Sequence, residues 1–190
     1  MKQYNLTNYW FIIFYDLFRY EKYWIPFIQE NSQNYATDKK FCPPLDVLSV
    51  WHVHMLAPKL YADDLCKSSL GRMMDHEMCS HEHREQKMKV TEKAWCKQFP
   101  DEPFNSSETS KAYETYTCGS SYDLLSACKR QKLFYYQVSL THYQDKSFLS
   151  RSITRYTMFL QLQKKNSNQF LVPCYDIDIV WHTHHLNHLP

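Results

Sequence analysis

The chain has 190 residues, of which 44% are apolar and 16% aromatic, and a net charge of +2. That is core material enough for one domain or two small lobes, which argues against global disorder. With only 2 Gly there is no Gly-rich phosphate loop and little support for hairpin-rich β architecture, and the scattered Lys and Arg form no basic stripe for nucleic acid.

The seven cysteines are Cys42, Cys66, Cys79, Cys96, Cys118, Cys128 and Cys174. Their number is odd and no two form a Cys-x-x-Cys pair, so a reducing compartment is expected rather than a disulfide framework. Cys128 could act as a nucleophile beside a histidine, but a lone helical cysteine more often reads as a small buried hydrophobe. The apolar run Tyr9 to Phe18 is short, contains Asp16 and lacks a cleavage-like site. It reads as a core helix, not a signal peptide, and no stretch is long enough to span a bilayer. A cytoplasmic chain without membrane contact is the expectation.

In chain order, apolar residues at helical spacing (Phe11, Phe14, Phe18, Trp24, Phe27 and Ile28) predict a helix over 7–30, kinked or ended by Pro26. Residues 31–42 are polar and read as a loop. Pro43-Pro44 opens a helix at its first turn, and Pro58 stops it at about Ala57. Two further helices are predicted over 59–74 and 83–98, then a loop over 99–119 and a helix over 121–138. The clearest amphipathic helix covers 145–165. Asp145 caps it, Leu149, Ile153, Tyr156 and Leu160 line one face, and Lys164-Lys165 suit its negative end. Pro173 precedes a last helix. The fold class is all-α.

A pattern occurs twice, 130 positions apart. It begins at Asp46 and at Asp176, and both copies read Asp-x3-Val-Trp-His-x-His-x-Leu. The repetition predicts a single helical domain over 1–190 with two related halves, each carrying a Trp-His-x-His helix. After the first copy come Tyr61, Asp64, Gly71 and Asp75, and nothing repeats them after the second. Either the second repeat is truncated at the C-terminus or the chain is a fragment.

The motif concentrates side chains that bind metals or move protons. On a helix, residues two apart diverge by roughly 200°, so His52 and His54 face different ways. Asp46, Val50 and His54 share a face, as do Asp176, Val180 and His184. Asp178 sits four residues before His182, where a carboxylate can fix the imidazole tautomer. Were the two helices to pack together, His52, His54, His182 and His184 with Asp46, Asp176 or Asp178 would suit a divalent Zn, Fe or Mn ion. The competing reading makes these side chains hydrogen-bonded polar groups of a repeated packing unit. A second cluster, Asp75-His76-Glu77-Met78-Cys79-Ser80-His81-Glu82-His83, has the density of a chelating site. It also reads as the solvated start of a charged helix, and a specific site gains weight if Asp75 or His76 joins the first motif. There is no Gly-x-Ser-x-Gly elbow and no His-Glu-x-x-His.

The chain resembles the glycine-rich domain-containing protein-like family over roughly residues 15–190. The carriers are Pro43-Pro44-Leu45-Asp46 running into Val50-Trp51-His52-Val53-His54, then Pro58, Tyr61, Asp64, Gly71, Asp75 and Trp95. They continue with Phe99-Pro100-Asp101-Glu102-Pro103-Phe104, Tyr122-Asp123-Leu124, Lys129-Arg130-Gln131 and Tyr136-Gln137-Val138-Ser139. The last is Val172-Pro173-Cys174-Tyr175-Asp176 through His184. The resemblance implies an intracellular protein, linked in plants to development and stress responses, with no reaction, substrate or cofactor attached to the domain. The sequence departs from the family in lacking a glycine-rich tract and in stopping where members continue past the second motif.

Two functions compete on this reading. One is an interaction or structural module with protein partners, in which tyrosines and phenylalanines form core and binding surface. The other is a metal-binding domain or metal-dependent enzyme, with a metal-bound water as its chemistry. An RNA-associated regulatory role is suggested only by the glycine-rich tails of family members, and the near-neutral charge speaks against nucleic acid.

Overall fold

A computed structural model describes residues 6–105 and 116–187, with side chains from Ile12 onward. The described residues form helices, turns and irregular segments with no strand among them, so the fold is all-α as expected. The chain divides into two compact units, Met1–Cys128 and Lys129–Pro190.

In the first unit, α1 (Leu6–Arg19) runs into a π-helical turn (Tyr20–Trp24) and on into α2 (Ile25–Asn31). Pro26, expected to kink or end the helix, lies in the first turn of α2. It has no N–H to give the carbonyl four residues back, and its ring crowds that carbonyl. The turn before it is wide, and the Ile25 N–H reaches the Tyr20 carbonyl. Helical direction is therefore kept past the proline. Tyr20, Trp24 and Phe27 are fully buried.

The segment 31–42, expected to be a loop, contains the short helix α3 (Tyr35–Asp38), held by a reciprocal cap between Asn34 and Thr37. Helix α4 (Leu45–Met55) carries the first motif and starts after Pro44. Helix α5 (Pro58–Lys67) is shorter than the predicted 59–74. Ser68 turns extended and its hydroxyl bonds back to the Leu65 carbonyl at 2.7 Å. Gly71 then takes φ +69°, which a side chain disfavours. Helix α6 (His81–Gln98) is capped by Ser80 and buries Lys87, Thr91 and Trp95 along one stripe.

Helix α7 (Leu124–Val138) contributes Leu124 and Ala127 to the first core. The second unit contains the rest of α7, a 3-10 turn (Thr141–Gln144), α8 (Lys146–Lys165) and α9 (Tyr175–Leu186). Asp145 caps α8 as predicted, accepting from the Ser147 N–H at 2.8 Å. The predicted apolar face of α8 is corrected in part. Ser152, Tyr156 and Phe159 form the buried stripe, while Ile153 is 56% and Leu160 38% exposed. Both stripes contain Tyr156 and fit the helical period. What decides between them is α9, against which Tyr156, Phe159 and Ile177 form a core with Val180 and Trp181. All seven cysteines are free, and among the described residues no helix is long and apolar enough to cross a membrane.

Candidate functional site

On α4 the shared face of Asp46 and His54 meets two consecutive residues at the α1–π-turn junction. Arg19 takes Asp46 and Tyr20 takes His54. Arg19 is fully buried. Its Nη1 pairs with Asp46, its Nε donates to Glu102 at 2.8 Å, and its Nη2 donates to the carbonyls of Pro103 at 2.7 Å and Phe104 at 2.8 Å. The guanidinium lies 5.5 Å from the Trp95 ring, and the Tyr15 hydroxyl donates to the same Glu102 oxygen at 2.9 Å. A buried charge is tolerable only with partners of this kind.

His54 is 2% exposed. Its Nδ1 lies 3.0 Å from the Tyr20 hydroxyl and its Nε2 3.3 Å from an Asp64 oxygen on α5. The second contact is an electrostatic approach rather than an aligned hydrogen bond. Burial pushes the His54 pKa down to about 4, although Asp64 pulls the other way. The ring is neutral at pH 7. The carboxylate opposite Nε2 assigns the proton there, so Nδ1 accepts from Tyr20. Burial pushes Asp64 up, but donors from Ser121 and Ser120 outweigh it and hold the carboxyl below its ordinary range. A cleft of about 260 Å³ opens beside this group, lined in part by Tyr20, Lys22, His54, Asp64, Lys67 and Ser120. Glu21, on the same turn, is held by the N–H groups of Gly119 at 2.8 Å and Ser120 at 3.0 Å. A Cβ at Gly119 would stand 3.3 Å from the Glu21 oxygen, so a larger residue there would require the Glu21 carboxylate to shift by a few tenths of an ångström.

The other motif residues serve the core. The Trp51 indole N–H donates to Tyr61 Oη at 2.9 Å, and that hydroxyl donates to the Met74 carbonyl at 2.8 Å. His52 is half-buried, and burial followed by the neighbouring His76 pushes its pKa down to about 4. Asp75 is buried, with Lys39 Nζ 2.8 Å from one oxygen and the His76 N–H donating to the other at 2.8 Å. The rest of the Asp75–His83 cluster ends as a helix start, with His81, Glu82 and His83 exposed.

The second unit holds corresponding groups. Arg155 Nη1 pairs with Asp176 at 2.5 Å, and the Tyr156 hydroxyl lies 2.5 Å from His184 Nδ1. Asp178 does stand near His182, with 3.5 Å between Oδ1 and Nε2. Burial pushes the Asp178 carboxyl up to about 6. His182 stacks on Phe134 with ring centroids 4.1 Å apart. Trp181 packs on Phe159 and its indole N–H is directed to His185 Nε2, one turn along the same helix. His184 itself is exposed.

Among the described residues no three His, Cys, Asp or Glu side chains form a group that could hold a metal ion. Of the candidate ligands, Asp46 and Asp176 face arginines, Asp75 faces Lys39, Asp178 faces His182, and His54 and His184 face tyrosine hydroxyls. The arginines and the partnering role of both tyrosines were not singled out from the sequence. A signal existed, since the dipeptide Arg-Tyr stands at 19–20 and again at 155–156, upstream of each motif.

An all-helical chain whose Trp-His-x-His helices are seated on Arg-Tyr pairs is the class that fold and site define. The model of the glycine-rich domain-containing protein-like family matches residues 65–189. The chain is 38% identical over 187 residues to Glycine-rich domain-containing protein 1 of Arabidopsis thaliana, a match covering 90% of this chain and 22% of that protein. It is 36% identical over 182 residues to Glycine-rich domain-containing protein 2 of the same plant, covering 90% of this chain and 23% of that protein. The chain belongs to the glycine-rich domain-containing protein-like family, and it spans less than a quarter of the length of these curated relatives. No solved structure matches it.

Proposed function

We propose that this chain is a helical interaction module built from two related halves, in which the Trp-His-x-His motif is a packing device and its partners are proteins. The observation that carries the reading is the repeated contact pair. In each unit an Arg-Tyr dipeptide on one helix meets the Asp and the second His of the motif on another, Arg19-Tyr20 with Asp46 and His54, and Arg155-Tyr156 with Asp176 and His184. A polar pair at a fixed offset sets the register of two helices, which apolar contacts alone do less sharply. Nδ1 of His54 is taken by the Tyr20 hydroxyl, and Nε2 faces the Asp64 carboxylate at 3.3 Å. A metal at His54 would have to displace one of them and overcome the cost of exposing it. The interaction role is supported by apolar side chains the second unit leaves in solvent, among them Leu133 at 68%, Met158 at 62% and Phe170 at 92% exposure.

The test combines elemental analysis with thermal unfolding. After chelator treatment the melting temperature is expected to stay where it was. His54→Gln is expected to lower it, and His142→Gln, outside both motifs, to leave it unchanged. Stoichiometric Zn, Fe or Mn, lost in a His52→Ala/His182→Ala double variant of the folded chain, would replace this reading with the metal-binding one.

A further inference from the structure

The cleft beside His54 is lined by residues of the first unit alone, from the π-turn, α5 and the Gly119–Ser120 segment. At about 260 Å³ it is smaller than a drug-sized pocket and suits a small metabolite. Its walls are mixed. Ile25 and Leu65 are buried apolar residues, whereas Lys22, Lys67 and Ser69 are exposed. Its buried polar members are Tyr20 and His54.

With Nδ1 of His54 accepting from the Tyr20 hydroxyl, the ring proton sits on Nε2. That nitrogen is buried and has no hydrogen-bond partner among the described residues, although Asp64 Oδ2 stands 3.3 Å away. A buried donor left unpaired is costly and rare, so it points to an acceptor that comes from outside the chain. That acceptor must also tolerate a carboxylate beside it. Ser120 and Ser121 donate to Oδ2 of Asp64, and a carboxylate has acceptor sites on both oxygens. A hydroxyl satisfies both neighbours with one atom, accepting from Nε2–H and donating to Asp64. The χ2 torsion of aspartate is broad, so a small turn of the Asp64 carboxyl admits it.

The four charges on the cleft are not equally available. Glu21 is held by the Gly119 and Ser120 N–H groups, the Tyr116 hydroxyl and Cys118, and Asp64 by its two serines. Lys22 and Lys67 are exposed, with Lys22 Nζ 5.8 Å from the Tyr116 ring. An entering ligand meets positive charge at the rim and a carboxylate inside. Two ammonium groups match a phosphate monoester, whose charge is roughly −1.5 to −2 at pH 7. Asp64 repels that phosphate, so the hydroxyl end enters first.

We propose that this cleft binds a small phosphorylated alcohol, with a ligand hydroxyl between His54 Nε2 and Asp64 and the phosphate between Lys22 and Lys67. The site uses the ring nitrogen that the Tyr20 packing contact leaves over, and so adds a ligand to the packing role without depending on a protein partner.

The probes are glycerol 3-phosphate and glucose 6-phosphate, which share a hydroxyl and a phosphate monoester and differ in skeleton. They are titrated into the whole chain at low ionic strength, because salt screens contacts to exposed lysines. Calorimetry gives the affinity, and the nitrogen-15 signal of His54 Nε2 reports the place. At least one probe is expected to saturate a single site, shifting His54 and leaving His184 unmoved. Inorganic phosphate and glycerol each lack half of the ligand and are expected to bind at least about tenfold more weakly. Lys22→Gln with Lys67→Gln is expected to weaken the probe by a similar factor. Both side chains are exposed, and an unchanged melting temperature verifies that this variant folds. Failure of both probes to saturate overturns the proposal. Inorganic phosphate binding as tightly as the probes overturns it too, since lysine charge alone would then explain the binding. So does an affinity that survives the double substitution, or a His54 signal that stays in place while a probe binds. The packing reading is tested separately by the Tyr→Phe comparison, so the two fail independently.

Discussion

Arg19 and Arg155 bind the first aspartate of their respective motifs, yet their surroundings differ. Arg19 is fully buried and shares Glu102 and two carbonyls besides Asp46. The Arg155 side chain is 52% exposed and has Asp176 as its ion-pair partner. The histidines follow suit. His54 is enclosed between Tyr20 and Asp64, whereas His184 rests on Tyr156 at the surface. Contacts of the same kind are thus placed once in a buried core and once beside water. The same contacts should differ in energetic weight by several-fold, because desolvation decides what an unpaired partner costs.

The largest expected effect comes from breaking the buried copy. Arg19→Ala leaves Asp46 and Glu102 without their shared cation and opens the space against Trp95. A loss of about 3–5 kcal/mol is expected for such a cut in a buried pair. Arg155→Ala removes a half-exposed pair, for which at most about 1 kcal/mol is expected. Denaturant unfolding, with hydrogen exchange to separate the two units, checks both. Equal losses would mean that burial does not distinguish the two copies.

Acid sharpens the same contrast. His54 has a folded pKa near 4, below the ordinary 6.5, so protons bind the unfolded chain first. Its stabilisation is complete above pH 6.5 and is lost as pH falls toward 4, an amount of about 3 kcal/mol. His52 acts in the same direction. Asp16 opposes them. Burial and then Asp46 push its carboxyl up to about 7, so the folded chain takes that proton first and gains stability as pH falls from 7 toward 3.8. His54→Gln is therefore expected to flatten the acid limb of first-unit stability, and Asp16→Asn to steepen it. Unfolding at pH 7 and at pH 4.5 measures the slope. A slope unchanged by His54→Gln would show that the ring is not sealed and neutral.

Much of the helical framework was legible in the residues. Asp145 announced the start of α8, Pro44 and Pro58 bounded α4, and the spacing of Asp46, Val50 and His54 identified one face. What that face meets was not legible, because Arg19 lies 27 residues from Asp46 and Tyr20 lies 34 from His54. Pairing over such distances is set by tertiary packing, which helical periodicity does not encode. The α8 stripe failed for the same reason. Ile153 and Leu160 satisfy the period as well as Ser152 and Phe159 do, and only the position of α9 separates them. At Gly71 and Ser68, local backbone chemistry ended α5 where the apolar pattern alone would have continued it. The second Arg-Tyr dipeptide was the available clue to the site, since a pair repeated upstream of a repeated motif suggests contact between the two.

The smallest expected effect is the most selective test of the pairing. Tyr20→Phe removes one hydroxyl and keeps the ring that packs 5.8 Å from His54. A buried acceptor at Nδ1 then loses its donor, which costs about 1–3 kcal/mol. Tyr156→Phe removes the corresponding hydroxyl from exposed His184, whose Nδ1 water can serve, so a loss below about 1 kcal/mol is expected. The double variant should show the sum of the two single losses if the pairs lie in independent units, and their nitrogen-15 imidazole signals report each pair directly. Tyr20→Phe must shift His54 and leave His184 in place, and Tyr156→Phe must do the reverse. Loss of stability without those shifts would mean that the tyrosines act through ring packing alone, and that the hydroxyl-to-imidazole contact does not set the register of the helices.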